Sequence, residues 1–141
     1  MSLSETNRDV GFGEAISLFF KNYANFNGRS SRGAYWWWLL CGLTVRFGLL
    51  LLEQALFGAD ANDLGGVGPL TVLFLLATLT PELALGARRL HDTGRSGWWW
   101  LVAIVPILGV LSLLWLFAQP GAREANAFGA NAEAGRPVAA S

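Results

Sequence analysis

The chain has 141 residues, 53% of them hydrophobic and only 14% charged, with ten basic and ten acidic side chains and no net charge. Soluble domains carry about 25% charged residues, so this composition argues against an ordinary soluble globule and excludes a disordered chain or a collagen-like fibre. A nucleic-acid-binding domain is normally basic; the neutral balance argues against nucleic acid as a partner. The length bounds the chain to one domain.

In chain order, residues 1–10 read as a flexible N-terminus. From Phe12 to Phe26, the residues Phe12, Ile16, Phe19, Phe20, Tyr23 and Phe26 recur at three-to-four spacing, with Glu14, Lys21, Asn22 and Asn25 largely on the other face. This predicts an amphipathic helix over 12–26, too polar to span a bilayer. It would either lie in the headgroup plane or pack on the protein's own bundle.

Three long apolar runs follow. Ala34–Leu52 contains one charge, Arg46. Val67–Ala87 contains one, Glu82. Trp98–Phe117 contains none. A helix needs about 20 apolar residues to cross a hydrocarbon core of roughly 30 Å. The runs lack the polar face of a soluble amphipathic helix. They predict transmembrane helices over about 34–56, 67–87 and 98–117. The fold class is then all-α: a polytopic membrane protein, residues 11–118 forming one helical membrane domain. No cleavable leader is expected, so the spans themselves would direct insertion. The Ala/Gly/Asn-rich tail, 119–141, is too poor in large apolar residues to bury a core and is expected to be loosely ordered.

Retained cytoplasmic loops are enriched in Lys and Arg. Residues 1–33 hold Arg8, Lys21, Arg29 and Arg32; the second loop, 88–97, holds Arg88, Arg89 and Arg95. The first loop, from about residue 53, holds only Glu53, Asp60 and Asp63. The tail holds Arg123 and Arg136. This places the N-terminus and second loop in the cytoplasm, and three full crossings would put the tail outside. Pro106 and Gly109 in the third run allow a re-entrant hairpin instead, which would return the tail to the cytoplasm. Trp36, Trp37 and Trp38 begin the first span, and Trp98, Trp99 and Trp100 begin the third. Indoles favour the interface, where the ring is in apolar surroundings and the N–H stays hydrated, so all six are expected as interface anchors.

Cys41 is the only cysteine and His91 the only histidine. No intrachain disulfide can form, no metal site is expected, and Cys41 reads as a small core residue. No cofactor fingerprint is present and no catalytic residue is assigned. The residues that could carry a site cluster at one membrane face. Gly28-Arg29-Ser30 precedes the first Trp triplet, and Gly94-Arg95-Ser96 precedes the second. Each reads as a turn glycine, a base and a capping serine ahead of a helix start. A helix N-terminus beside an Arg can hold an anion. Arg29, Ser30, Arg32, Arg88, Arg89, His91, Asp92, Arg95 and Ser96 therefore form the candidate anion or headgroup site, with interfacial anchoring alone as the plainer reading. Arg46 and Glu82 are expected to form an intramembrane ion pair. An isolated charge in a span centre costs about 2.5–3.5 kcal/mol, and helical side chains lean toward their own N-terminus. In two antiparallel spans the two heads then converge.

The stretches FNGRSSRGAYWWW and PELALGARRLHDTGRSGWWWL, with Asn126-Ala127-Phe128-Gly129-Ala130-Asn131 in the tail, resemble the bacterial inner-membrane family called domain of unknown function 805. The resemblance covers about residues 15–131 and is poorest in the tail, where the family usually carries a base at the place of Ala127. It implies a small multi-pass protein of the bacterial inner membrane, N-terminus cytoplasmic, and no established activity, substrate or cofactor. The residues leave three functional readings open. One is a lipid-associated protein binding an anionic phospholipid headgroup or a phosphate-bearing ligand at its cytoplasmic face. Another is an intramembrane enzyme acting on a lipid-linked substrate with His91 or Asp92 as base. The third is an accessory subunit or small transporter, which would need a homo-oligomer or a membrane-protein partner.

Overall fold

A computed structural model describes residues 10–58, 67–122 and 124–129. The expectations for residues 1–9, for Asp60 and Asp63, for Arg123, and for the tail from 130 to 141 fall outside them. The elements are α1 (Phe12–Lys21), α2 (Arg32–Phe57), α3 (Pro69–Asp92), a 3-10 helix (Gly97–Ile104) and α4 (Leu108–Ala118). Among the described residues there is no strand, only an isolated bridge between Asn126 and Gly129.

α1 is shorter than the expected 12–26. It has Glu14 in its first turn and Lys21 in its last, both matched to the helix dipole. It stops at Asn22 because asparagine side chains take over the backbone's hydrogen bonds. Asn22 Nδ2 donates to the Leu18 carbonyl at 3.0 Å, Asn25 Nδ2 to Asn22 Oδ1 at 3.1 Å, and the Asn27 amide to Asn25 Oδ1 at 3.1 Å. Tyr23 and Phe26 thus lie in a turn, and the Tyr23 hydroxyl donates to the Ala77 carbonyl of α3. Ala15 and Phe19, four residues apart, bury α1 against α2, where Phe19 stacks on Trp38. Phe12 and Phe20 face outward.

α2 and α3 are the two helices long and apolar enough to cross a membrane. With 26 and 24 residues, they extend about 39 and 36 Å at 1.5 Å per residue, beyond a 30 Å hydrocarbon core. Ser31 caps α2, its hydroxyl accepting from the Ala34 amide at 3.3 Å. Pro69 opens α3 at a position whose N–H has no partner within the helix. Leu40, Leu43, Phe47, Leu51, Leu73, Leu76 and Leu79 all lie on the outside, a surface that suits lipid and not water. Glu53, read from sequence as a loop residue, is buried in α2 instead. Its carboxylate accepts from the amides of Leu70 and Thr71 and the Thr71 hydroxyl, capping α3. A Cβ at Gly68 would lie 2.4 Å from the Glu53 carboxyl carbon, so the glycine is what lets the cap approach.

The third apolar run corrects the sequence reading. Trp98–Phe117 is not one spanning helix. It is a 3-10 helix, a turn at Val105–Ile107, and α4. Eight 3-10 residues rise about 16 Å and eleven α residues about 16 Å, so neither leg reaches across roughly 30 Å. Ile107, at φ 63° and ψ −68°, is the centre of a γ-turn closed by the Leu108 amide donating to the Pro106 carbonyl at 2.7 Å, and it turns the chain back. The legs then touch so closely that a Cβ at Gly109 would lie 1.9 Å from the Val102 carbonyl oxygen. The hairpin starts just after α3 ends, and it finishes against that same end: the Ala122 amide donates to the Asp92 carbonyl at 2.7 Å. Residues 119–122 and 124–129 lie against the end of α3 and Arg29.

The core joins all elements. Phe19 of α1, Tyr35 and Trp38 of α2, Leu85 and Leu90 of α3, and Leu113, Leu116 and Phe117 of α4 form one buried cluster.

Candidate functional site

The last turns of α3 organise the arginine-rich end of the bundle. All residues from Ala84 to Asp92 are buried. Asp92 and Arg89 are 0% exposed. The two Asp92 carboxylate oxygens take different partners: Oδ1 accepts from Arg29 Nε at 2.8 Å, and Oδ2 pairs with Arg89 Nη1 one turn back. The remaining guanidinium donors face backbone carbonyls. Arg29 reaches those of Ala122 at 2.6 Å, Glu124 at 3.0 Å, and Asp92 and Gly129 at 3.3 Å each. Arg89 reaches Phe117 at 3.0 Å, Ser30 at 3.3 Å, and Gln119. The Phe117 and Gln119 carbonyls belong to the C-terminal end of α4, where acceptors lack helical partners and the dipole is negative. Arg88 donates to Ser30 Oγ at 3.3 Å and to the carbonyls of Asn22 at 3.1 Å and Asn25 at 2.6 Å, fixing the α1–α2 connection.

Of the residues expected to form the site, Arg29, Ser30, Arg88, Arg89 and Asp92 come together here, and the donors of the three arginines face the protein's own oxygens. Three buried guanidiniums need acceptors close by, since a buried charge without partners is very costly; the chain supplies these from its tail and turns. Ser30 is a partner of Arg88, while the capping role falls to Ser31. Ser96 does cap the 3-10 helix, accepting from the Trp98 amide at 3.3 Å. Gly28 and Gly94 hold φ values of 88° and 77°, a region glycine enters without a Cβ clash.

His91 and Asp92 point apart. His91 Nδ1 sits 3.0 Å from the Gly28 carbonyl. A carbonyl can only accept, so Nδ1 carries the hydrogen, and in the neutral ring Nε2 is the acceptor. The ring stacks on Phe128 at 4.1 Å, and Asn126 Nδ2 donates to the His91 carbonyl at 2.9 Å. Both Asp92 oxygens are engaged by guanidinium groups, Oδ1 by Arg29 and Oδ2 by Arg89. Arg32 is half-buried at the start of α2. Arg95 is half-buried too and bonds the Gln119 amide oxygen at 3.3 Å.

Two cavities flank the 3-10 helix. One, of about 480 Å³, lies between the hairpin legs, lined by Arg95, Trp99, Leu108, Leu111, Trp115 and Leu116 among others. The other, of about 900 Å³, lies on the α3 side and reaches His91. Deeper in the bundle, Arg46 Nη2 pairs with Glu82 Oε1, and the Arg46 guanidinium lies 5.8 Å from the Phe74 ring centre. The six tryptophans divide. Trp36, Trp37, Trp98 and Trp99 are exposed. Trp38 is buried against Phe19, and Trp100 is half-buried against the core. A Cβ at Gly86 would lie 2.3 Å from the Trp100 ring, which ties the Trp100 position to the glycine on α3.

Two apolar helices of spanning length, a lipid-suited exterior and a polar end held by buried ion pairs define a small helical membrane protein. The chain belongs to the protein family of unknown function DUF805, whose model matches residues 23–130. It is similar to the Escherichia coli (strain K12) inner membrane proteins YhaH and YhaI. The identities are 38% and 40% over 109 residues, 77% of this chain and 88% and 86% of theirs. No solved structure matches. The family's span from residue 23 takes in the turn from Tyr23 to Arg29, the arginine network and the docked tail, and not α1.

Proposed function

We propose that the protein is an anionic-phospholipid-binding component of the inner membrane, with the phosphate at Arg95 and an acyl chain in the groove between the hairpin legs. The observation that carries this reading is the position of Arg95. It sits at the polar end of a 480 Å³ apolar groove lined by Trp99, Leu108, Leu111 and Trp115. Arg95 forms no ion pair among the described residues, whereas Arg29 and Arg89 are drawn into the buried network around Asp92. A base near an anionic surface is worth about 1 kcal/mol, which corresponds to about fivefold in affinity. Arg95→Gln should therefore reduce phosphatidylglycerol retained by the detergent-purified protein about fivefold, measured by native mass spectrometry, with Tm unchanged. Equal retention by Arg95→Gln and the parent would refute the reading.

The orientation that suits this function places the N-terminus and the arginine end in the cytoplasm, with α2 and α3 crossing and the hairpin re-entering from the cytoplasmic face. The excess of bases in residues 1–33 and 88–97 supports it, and the docking of residues 119–122 and 124–129 on the end of α3 supports a cytoplasmic tail. Reporters active on one side only, fused ahead of Met1 and after Ser141, should both report the cytoplasm. Opposite sidedness would count against the re-entrant hairpin. The enzyme reading is weaker because Asp92 is held in two ion pairs.

A further inference from the structure

The larger cavity, about 900 Å³, lies on the opposite face of the 3-10 helix from Arg95. Its walls are mostly apolar, with Leu83 and Ala87 of α3, Trp98, Leu101 and Ile104 of the 3-10 helix and Phe26 of the α1–α2 turn; Asn27, Ser96 and His91 are the polar side chains among them, beside the Trp100 indole. Trp98 is 78% and Ile104 76% exposed, so the cavity opens sideways, toward the lipid around the bundle. Its volume falls in the range of about 300–1,000 Å³ typical of small-ligand sites. One polar side chain in it has an unmet capacity. His91 is only 9% exposed, and its Nδ1 faces the Gly28 carbonyl. Its Nε2 has no partner among the described residues and points to the side where Gly97, another wall residue, leaves room: a Cβ there would lie 3.7 Å from Nε2. In the neutral ring Nε2 is therefore an acceptor open to a donor from a ligand in the cavity. The indole nitrogen of Trp100, also in the wall, is a buried donor without a partner.

We infer that this cavity is a second lipid site, taking the chain of a neutral amphiphile whose hydroxyl donates to His91 Nε2. The occupant is an uncharged hydroxyl-bearing acyl lipid. Arg88 and Arg29, the nearby cations of the α3 end, face internal oxygens, so nothing in the wall calls for a charged headgroup. The hydroxyl is that of a monoacylglycerol; phosphatidylglycerol also bears hydroxyls, but its phosphate is anionic and the wall offers it no free cation. The site does not depend on Arg95.

His91 is the only histidine in the chain, which makes histidine labelled with ¹⁵N a single-site probe. In phosphatidylcholine nanodiscs at pH 8, where the ring is neutral, Nε2 should resonate as an unprotonated nitrogen. Addition of 1-monooleoylglycerol should move it upfield in a saturable titration. Methyl oleate, with the same chain and no hydroxyl, should bind about fivefold more weakly, the worth of one net hydrogen bond, and leave the shift in place. Trp98→Ala removes an exposed wall and should weaken the titration without altering the starting shift. A matching response to dioleoylphosphatidylglycerol would mean that the cavity takes an anionic headgroup and overturns the inference. No response to 1-monooleoylglycerol overturns it too, as does an equal response to methyl oleate. Loss of the response in Arg95→Gln would place the lipid in the other groove and also overturn it, whereas failure of phosphatidylglycerol retention at Arg95 leaves it standing.

Discussion

Replacing Asp92 by Asn should lower Tm in detergent by at least about 10 °C and sharply reduce the amount of protein in the membrane. The side chain keeps its shape, so the loss reports charge. In the native arrangement one carboxylate sits between Arg29 and Arg89, fully buried. Removing the negative member of a buried ion pair typically destabilises by about 3–5 kcal/mol, because the partner charge stays buried and uncompensated. Here there are two such partners. At roughly 3 °C per kcal/mol for a chain of this size, a fall of about 10 °C is the lower bound. The damage should spread to the tail, since the same guanidiniums hold the carbonyls of Phe117, Gln119 and Ala122. Limited proteolysis should then cut the Gln119–Gly129 segment of Asp92→Asn faster than that of the parent. A variant with parental Tm and an uncut tail would show that the arginines find other acceptors, and that the network is not what holds the polar end together.

Gly109→Ala should open the hairpin, while Gly48→Ala should not. Both glycines lie inside helices, and both substitutions raise helix propensity by about 0.5–1 kcal/mol. Propensity alone therefore predicts the same small gain for each. Packing separates them. Nothing lies within 4 Å of a Cβ at Gly48, whereas one at Gly109 meets the Val102 carbonyl oxygen at 1.9 Å and the Ala103 Cα at 3.2 Å. Backbone cannot swing aside as a flexible side chain does, so the two legs must part. Overpacking of this kind costs about 1–3 kcal/mol. The expected result is a Tm several degrees below the parent for Gly109→Ala and at or above it for Gly48→Ala. Arg95 and Trp99 face the groove between the legs, so Gly109→Ala should also retain less phosphatidylglycerol. Equal Tm values for the two variants would mean that the legs are not in contact.

The helical membrane class, the two helices long and apolar enough to cross a membrane, and the family were legible in the residues. Ala34–Leu52 and Val67–Ala87 are long enough and apolar enough that hydration alone decides their class, and hydrophobicity is additive along a chain. The strings around Arg88–Trp100 are specific enough to identify the family without a fold. The Arg46–Glu82 contact was approachable for a related reason: a charge is so unfavourable in an apolar span that it needs a partner, and few are available.

Three features needed the tertiary structure. The run Trp98–Phe117 has the composition of a span, but composition does not report chain direction. The reversal rests on the γ-turn at Ile107 and on the contact of Gly109 with Val102, neither of which leaves a mark in hydropathy. The arginines at 29, 88 and 89 could be counted as positive charge, and counting supports an anion site. Which oxygens meet a guanidinium is a property of three-dimensional placement, and here they are carbonyls as many as 100 residues away in the chain. Glu53 was read as a loop acid because helix boundaries are uncertain by a few residues, and its cap on α3 exists only once the two helices lie side by side. Thus hydrophobic length, a local quantity, settled what kind of molecule this is. The partners of its buried charges and the return of its last apolar run depend on contacts between segments distant in sequence, and the folded chain alone decided those.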